Sequence, residues 1–513
     1  MIGILLFTLY SRRMAMVIRK KNDKPNCNVP VAAGMEKPLP LDDLLGVLEN
    51  VYEGYFERSI PDSITSAVKK IISCSQNSEE ATLVLDKFSR RKANEKKLQV
   101  THTEVPTEIL PDGFTAVLHD IKVHGCGPDD RIYNVNPDIR KMIPRGATTM
   151  QLNGVVSWFD VVIYGNKKFT GGIGDEDQWQ PDDDDKWREY CLENPDTARK
   201  VVCMTKLNGE AAHFSGRYID GQFYIFTGSK NVHMMIRDER DIDQYHGSKF
   251  GIAKVIAKAV CDTLKGLEKQ KLHLLLSLLH HTKCTAVCEI LQPEFQHIVN
   301  IHHYIKPQLF IISFTYMTTT DTETSLTAIP PHHALDLAIA LGLNSAPYTV
   351  ITTEDILKHR NEIRQDFKSE GEVLYFLNQN EDTIGLAKIK TTWYVLLRAL
   401  REKAVRCFSG SKKTLCWNVD DHIVSTHKRF LDIQKWLKFS SSCLQQWKVL
   451  SSSFLRWLNE EIKHKRAESS EIRPKFPLIW EQFLKATNQT DRIERLPWRG
   501  QMRVSIMGVL NER

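Results

Sequence analysis

The sequence predicts an α+β protein in which helical segments flank a central region rich in β-strands. Apolar residues recur at helical spacing over residues 38–100, strand-like stretches follow from residue 111, and helical spacing returns after residue 406. With 513 residues, 42% of them hydrophobic, the chain can bury a large core and form two to four domains. We expect three parts in order: a helical N-terminal segment over 1–110 whose first ~35 residues are disordered, a central domain over 111–405, and a basic helical domain over 406–513.

A stripe of apolar side chains predicts the first helical region: Leu41, Leu44, Leu45, Leu48, Val51, Tyr52 and Tyr55. Three strands are predicted next, over residues 114–123, 149–156 and 158–164. An acidic insert follows over residues 175–189, and it includes four consecutive aspartates, Asp182 to Asp185. A run of like charges beside a proline is typical of an exposed loop, so we assign it no ligand.

The rest of the central region alternates strands, turns and helices. The predicted elements are strands over 201–204, 221–226, 285–291, 309–314, 372–377 and 384–390, one long helix over 250–280, and a helical pair over 333–365. Ser409-Gly410-Ser411 is a predicted linker, and the remainder is helical. Six of the ten tryptophans lie beyond residue 400. Their helical spacing predicts core positions rather than platforms for stacking bases.

The charge distribution is more informative than the net charge. The whole chain carries 69 Lys and Arg against 63 Asp and Glu, which does not by itself indicate nucleic acid. Residues 401–513, however, carry 22 Lys and Arg against 12 Asp and Glu, a net charge of +10. A basic segment of this kind fits a phosphate-backbone partner. A solvated helical surface is the alternative that charge alone leaves open.

Cysteine usage indicates a reduced, intracellular protein, because eleven cysteines are scattered without a disulfide framework. The closest cluster with zinc-ligand chemistry is His280, His281, Cys284 and Cys288, but its cysteines fall in or beside a predicted strand that carries a more specific motif. No apolar run reaches transmembrane length, so no membrane association is expected. We expect a cytoplasmic or nuclear protein. The basic start of the chain also fits a mitochondrial presequence or a start codon upstream of Met14 or Met16.

The run Lys206-Leu207-Asn208-Gly209 is the strongest candidate for chemistry. It places a lysine amine in a tight turn, where it could attack a nucleotide α-phosphate and hold the nucleotide covalently. A free lysine has a pKa of ~10.4, so the amine must be made neutral before it can attack. Neighbouring cations, either other lysines or a divalent metal, would lower that pKa. Such a site also needs carboxylates for metal and ribose, and an apolar wall for the base.

Later parts of the chain supply these groups in order. Glu289 interrupts an apolar predicted strand, and Glu370 precedes a glycine that allows close backbone approach. Lys388 and Lys390 alternate on one strand, so their amines share a face. Lys230 lies in a Gly-Ser-Lys turn after another strand. Each residue alone has an ordinary structural interpretation, and their shared order makes the functional one stronger.

Taken together, these motifs resemble those of the covalent nucleotidyltransferase superfamily, which contains ATP-dependent ligases and mRNA capping enzymes. The branch most similar is that of T-even phage RNA ligase 1 and the adenylyltransferase module of fungal tRNA ligases. The resemblance covers residues 140–400, and its parts are motif I at 206–209, motif Ia at 227–230, motif III at 285–299, motif IV at 370–373 and motif V at 388–395, with Trp393 and Tyr394 as its aromatic pair. Arg145-Gly146 and Lys167-Lys168-Phe169 resemble two upstream elements, although Thr170 replaces an expected aromatic residue.

The resemblance implies an ATP-grasp-like core of two antiparallel sheets with flanking helices and ATP in the groove between them. It implies that Lys206 becomes AMP-modified and that Glu370 holds Mg²⁺, or alternatively Mn²⁺. The residues that would contact the nucleotide are Asn208, Gly209, Arg145, Lys168, Phe169, Lys230, Glu289, Lys388 and Lys390. Phe310 and Phe314 are both open as the residue that stacks on adenine.

The implied function is an ATP-dependent RNA ligase, which joins 5′-phosphate and 3′-hydroxyl RNA ends in RNA repair or tRNA processing. The basic C-terminal helices would be the RNA-specific part. The sequence has no kinase-type phosphate loop and no paired phosphoesterase motif, so separate end-healing enzymes would prepare the ends. The alternatives are a GTP-using capping-type nucleotidyltransferase and a catalytically inactive RNA-binding or interaction protein of the same fold.

Overall fold

The computed structural model describes residues 31–490 except 33, 76–77, 126–128, 155–156, 170–185, 319–322 and 410–417. It combines helices with antiparallel sheets, as the sequence predicts for an α+β protein. Several predictions from the sequence concern residues outside these ranges. They are the disordered and basic start of the chain, Thr170, the aspartate run of the acidic insert, and most of the 409–411 linker.

Three helices open the described chain: α1 (Leu41–Phe56), α2 (Asp62–Ser75) and α3 (Ser78–Asn94). On α1 the predicted stripe buries Leu44, Leu48, Val51 and Tyr52, whereas Leu41 and Tyr55 are exposed. The predicted helical region ends too late, because Leu98–Glu104 form a strand, β1. This short stretch pairs along its whole length with the strand that follows, and that pairing outweighs helix propensity.

The first sheet has four strands in the order β1-β2-β3-β4, with β2 (Thr115–Val123), β3 (Ala147–Asn153) and β4 (Trp158–Tyr164). Two short helices, α4 (Asp130–Val135) and α5 (Pro137–Met142), connect β2 to β3. The predicted domain boundary at residue 110 lies between β1 and β2, which are hydrogen-bonded neighbours.

The second sheet has five strands in the order β10-β9-β6-β7-β8. They are β6 (Glu210–Ile219), β7 (Gln222–Ser229), β8 (His233–Ile236), β9 (Thr285–Leu291) and β10 (Gln308–Thr315). The predicted long helix is in fact two helices, α6 (Gly251–Lys265) and α7 (Lys269–Thr282), because the first ends at Gly266. Of these helices, α6 packs against β7 and α7 against β6, and β4 contacts β6, β7 and β9.

The third sheet has four strands in the order β11-β5-β12-β13. Its strands are β5 (Lys200–Thr205), β11 (Tyr348–Ile351), β12 (Gly371–Leu377) and β13 (Thr383–Lys390). The predicted helical pair is α8 (Pro331–Ala340) and α9 (Ile356–Gln365), with β11 between the two helices. The described residues therefore contain three sheets, where the resemblance implies two.

Four helices complete the described chain: α10 (Thr392–Phe408), α11 (Val419–Leu437), α12 (Ser441–Lys463) and α13 (Phe476–Ala486). Trp447 and Trp480 stack in their core with ring centroids 6.2 Å apart, as predicted for core tryptophans. Trp436 differs, because 40% of it is exposed. None of the helices within the described ranges is long and apolar enough to cross a membrane. Single 3₁₀ turns lie at Thr107–Ile109, Lys186–Tyr190, Pro195–Thr197, Glu239–Gln244, Ser248–Phe250, Thr353–Asp355 and Ser469–Glu471.

Candidate active site

Lys206 lies directly after β5, against the start of β12. Its backbone N–H donates to the carbonyl of Gly371 at 2.8 Å, which continues the pairing of the two strands by one residue. Gly371 has φ +128°, and a Cβ there would collide with the carbonyl oxygen of Ile389. Only glycine satisfies both conditions. The Glu370-Gly371 pair therefore sets one carboxylate beside the lysine, in keeping with the close approach expected from its sequence.

The Lys206 amine forms an ion pair with Glu370, with 3.0 Å between Nζ and Oε1. Burial alone would lower the pKa of Lys206, but the carboxylates of Glu370 and Glu289 outweigh it and raise that pKa above its usual value. Burial opposes ionisation of Glu370 as well, yet Lys206 and Lys390 hold its pKa below the usual range. The carboxylates therefore outweigh the neighbouring cations, contrary to the expectation that such cations lower the pKa of Lys206.

Asn208 links Glu370 to the loop after β9. Its side-chain amide donates to Glu370 Oε2 at 2.5 Å and to the Tyr394 hydroxyl at 3.4 Å. Its side-chain oxygen accepts the backbone N–H groups of Ile298 and Val299 at 2.8 and 2.9 Å. Both ends of this buried amide are thus engaged by protein. The contacts make Asn208 a bridge within the site, in addition to its predicted place near the nucleotide.

Glu289 approaches Lys206 from the second sheet. The backbone N–H of Gly209 donates to Glu289 Oε1 at 3.0 Å, and a Cβ at position 209 would collide with the carbonyl oxygen of Ile290. Burial, with a further contribution from Glu370, raises the pKa of Glu289 to about 7, although Lys206 and the Gly209 N–H act in the opposite direction. Carboxylates from two different sheets therefore surround one amine.

Lys388 and Lys390 both lie on β13 and are buried. Lys390 is directly opposite Gly371, and Lys388 is opposite Val373. Lys390 acts electrostatically on Glu370, and Lys388 acts on Lys168. Strand alternation places these two amines on one face of β13. They therefore lie between the Lys206–Glu370 pair and a second group of cations.

That second group contains Arg145, Lys168 and Lys230, which pair with two aspartates at the start of α4. The Lys168 amine lies 2.7 Å from Asp130, Arg145 lies 3.8 Å from Asp129, and Lys230 also pairs with Asp129. Burial, together with Arg145 and Lys388, lowers the pKa of Lys168 to about 8. Neither aspartate is predicted from the sequence, because an Asp-Asp pair after Gly-Pro is typical of an ordinary turn.

Two phenylalanines that the sequence leaves open lie on opposite faces of β10. Phe310 is directly opposite Glu289, so their side chains share a face, and it belongs to a small apolar cluster that includes Leu207 and Tyr304. Phe314 belongs instead to the main helical core. Residues four apart on a regular strand share a face, but a bulge between Ile311 and Ser313 reverses the alternation. Phe310 is therefore the one beside the candidate site.

Phe169, the remaining predicted residue, is half-buried and packs against an apolar cluster of the third sheet that contains Met204. Leu207 packs against the same cluster. Tyr304, whose ring centroid is 6.1 Å from that of Phe310, was missed, because its loop has no periodic pattern. The candidate site is thus bounded by carboxylates, cations and an apolar wall.

Comparison with known proteins gives three results. Residues 187–401 match a protein family described as a domain of unknown function (DUF7920), and this span includes Lys206, Glu289 and Glu370. None of the curated proteins is significantly similar to the chain. The structure is similar to that of an archaeal ATP-dependent RNA ligase, form 1, at 11% identity and a TM-score of 0.38, covering 78% of this chain and 85% of that one. Likeness at this distance does not define a shared activity.

Proposed function

We propose that this protein is an ATP-dependent RNA ligase that joins 5′-phosphate and 3′-hydroxyl ends through AMP bound covalently to Lys206. The observation that carries the proposal is the meeting of Lys206 with Glu370 of its own sheet and Glu289 of the second sheet. A group of buried cations adjoins them. Transfer of a nucleotide to an amine requires this combination, because the reacting phosphates are anionic and the amine must be held in position.

In the first step, Lys206 Nζ would attack the α-phosphorus of ATP. A nitrogen–phosphorus bond forms, the bond to the oxygen bridging the α- and β-phosphates breaks, and pyrophosphate leaves. The amine must lose its proton, which Glu370 and Glu289 stabilise by raising the pKa of Lys206. Of the two carboxyls, Glu289 has the higher pKa, about 7, whereas the pKa of Glu370 is lowered. It is therefore the better candidate to receive that proton.

The carboxylates suit a hard divalent cation, because Glu370, which is buried, and Glu289 offer oxygen ligands on either side of Lys206. Glu370 would hold Mg²⁺ or Mn²⁺, which would offset the charge that keeps Lys206 protonated and polarise the α-phosphate. Asn208 keeps Glu370 in position through its 2.5 Å hydrogen bond.

The cations divide into two groups along the phosphate chain. Lys390 acts on Glu370, and Lys388 lies two residues before it on the same strand, so these two would contact the α-phosphate. Arg145, Lys168 and Lys230 would contact the β- and γ-phosphates. These three now pair with Asp129 and Asp130, so ATP would replace carboxylates with phosphates. Phe310, with Leu207 and Tyr304, would bind the base.

AMP would then pass from Lys206 to an RNA 5′-phosphate, giving a 5′-5′ pyrophosphate linkage. Attack by a 3′-hydroxyl expels AMP and joins the strands. The choice of RNA and of AMP is supported by the similarity of motifs III and V to those of phage RNA ligase. The net charge of +10 over residues 401–513 supports an RNA partner, and tRNA halves, stress-cleaved RNA and nicked duplexes all fit.

The proposal is tested by incubating purified protein with Mg²⁺ and ATP or GTP labelled at the α-phosphate. We expect label from ATP to stay on the denatured protein, and joining of RNA strands that bear 5′-phosphate and 3′-hydroxyl ends. Preferred labelling by GTP would support the capping-type alternative. Absence of label from both would support the inactive binding protein. Joining of 5′-hydroxyl and cyclic-phosphate ends without helper enzymes would contradict the predicted need for end healing.

A further inference from the structure

A small group of polar side chains lies within the apolar interface between α9 and the third sheet. The layer is built from Ile356 and Ile363 of α9 and from strand residues that include Val201, Leu374 and Ile389. His359 falls on the same face of α9, because it lies three and four residues from the two isoleucines. A polar ring in such a stripe requires a partner inside the layer.

The sheet supplies two partners for this ring. Cys203 of β5 and Glu372 of β12 lie on the face that α9 covers, since Cys203 and Leu374 are directly opposite each other. One ligand atom from each of Cys203, His359 and Glu372 lies within 4.8 Å of the other two. His359 Nε2 and Glu372 Oε2 are 2.7 Å apart. Three elements that are distant in sequence therefore present sulfur, nitrogen and oxygen donors to one point.

We propose that Cys203, His359 and Glu372 form a zinc site. Zinc is bound by cysteine, histidine and carboxylate ligands, often by three protein ligands and one water. Cys203 is fully buried, whereas the side chains of His359 and Glu372 are 17% and 22% exposed. The site is therefore open to solvent on one side, where metal and the water ligand can enter.

A further carboxylate supports this assignment. Glu362 Oε2 lies 3.7 Å from His359 Nδ1, the ring nitrogen that does not face Glu372. Histidine ligands commonly direct their second nitrogen to a carboxylate, which orients the ring and strengthens it as a ligand. Zinc would separate the His359 and Glu372 donors slightly, because its ligands lie about 2.0–2.3 Å from the ion. Coordination would also release the Cys203 thiol proton to solvent.

The ligand types separate this site from the one proposed at Glu370. Thiolate and imidazole ligands select zinc, whereas Mg²⁺ takes oxygen ligands. A second His-rich cluster, at His332 and His333, is a weaker candidate, because the Lys200 ammonium already pairs with its Glu381.

The position of the proposed zinc site would affect the stability of the third sheet. It would join α9 to β5 and β12, the two strands whose ends carry Lys206 and Glu370. Zinc there would stabilise the third sheet without contacting the nucleotide. The inference does not depend on ligase activity.

The test uses full-length protein dialysed free of loosely bound metal. We expect one zinc per chain by mass spectrometry of the metal content. We also expect a thiolate-to-metal charge-transfer band when Co²⁺ replaces zinc. Cys203→Ser should abolish the band, and His359→Gln and Glu372→Gln should weaken metal retention at least tenfold. Cys261→Ser, at a buried thiol of α6, is the matched control and should keep both signals.

The Co²⁺ spectrum of the unmodified protein decides the question even where a variant fails to fold. A folded wild-type chain that binds no stoichiometric zinc and gives no charge-transfer band would overturn the proposal. A band that persists in folded Cys203→Ser would also overturn it. Either result would leave a plain His359–Glu372 hydrogen bond beside a core thiol.

Discussion

The side-chain amide of Asn208 donates to the carboxylate of Glu370 at 2.5 Å, and its oxygen accepts two backbone N–H groups from the loop after β9. This one side chain therefore connects the turn after Lys206, the turn at Glu370 and the loop that holds Ile298. An aspartate at this position would accept the same backbone groups but would place a second negative charge against Glu370.

Replacement of Asn208 should test that connection. We expect Asn208→Ala to lower the free energy of unfolding by about 1–3 kcal/mol, because the backbone N–H groups of Ile298 and Val299 lose their acceptor. Asn208→Asp should restore those hydrogen bonds but should repel Glu370. The decrease in the free energy of unfolding that remains should become smaller as pH falls, because protonation of a carboxylate relieves this repulsion. Urea unfolding at pH 5 and pH 8 measures both. Equal losses for the two variants at both pH values would contradict the bridging role.

The pH dependence of AMP transfer follows from the raised pKa of Lys206. The amine is protonated at neutral pH, so the single-turnover rate should rise with pH, about tenfold per unit while the charged form dominates. Mg²⁺ bound at Glu370 would offset its charge, so higher Mg²⁺ should shift the profile to lower pH. Rapid-quench measurements at two Mg²⁺ concentrations provide the check. A profile that is flat from pH 6 to pH 9 would count against a protonated resting amine.

The same pKa shifts predict how stability depends on pH. The Lys206–Glu370 pair raises the pKa of the amine, so its contribution is complete below the unfolded lysine pKa and is lost as pH rises through the folded value. The same ion pair lowers the pKa of Glu370, so the stability that the ionised Glu370 contributes is lost as pH falls through the pKa of Glu370 in the folded protein. Lys206→Met should therefore destabilise the protein most at pH values between the folded-state pKa values of Glu370 and Lys206. Thermal unfolding across the pH range tests this, with Lys388→Met as the comparison.

Asp129 should compete with ATP for Arg145 and Lys230, because it pairs with both cations. We expect Asp129→Asn to tighten ATP binding about fivefold, which corresponds to ~1 kcal/mol for one partly exposed ion pair. Calorimetry in a Lys206→Arg background, which cannot complete the first step, measures the Kd. Weaker binding by Asp129→Asn would instead mean that the aspartate orients the cations.

Phe310 and Phe314 provide a matched pair for the base pocket. Phe310→Leu keeps an apolar side chain but removes the aromatic face, and stacking of a base on such a face contributes about 1–3 kcal/mol. We expect the Kd for ATP to rise about tenfold. Phe314→Leu lies in the helical core and should lower the melting temperature while leaving that Kd unchanged. The reverse pattern would place the base on the other face of β10.

Much of the candidate site could be predicted from local sequence patterns. Strands such as Trp158–Tyr164 and Thr285–Leu291 have the predicted bounds, because apolar runs bounded by turns define them. Lys388 and Lys390 share a face because strand alternation requires it. The glycines of motifs I and IV likewise stand where backbone approaches backbone.

The remainder depends on contacts between distant residues. The strand β6 was missed because it is buried along most of its length, in contact with α7 and β4, so burial leaves no alternating pattern. The separate faces of Phe310 and Phe314 depend on a bulge that has no clear sequence signal. The pairing of Asp129 and Asp130 with cations from three other segments also has no local signature.

Mapping the attachment site of AMP tests the central claim most directly. After incubation with ATP and Mg²⁺, the protein is digested and its peptides are analysed by mass spectrometry. We predict AMP on the peptide containing Lys206, and no AMP on Lys206→Arg, which keeps the positive charge beside Glu370. AMP on another residue, or undiminished labelling of Lys206→Arg, would contradict the account.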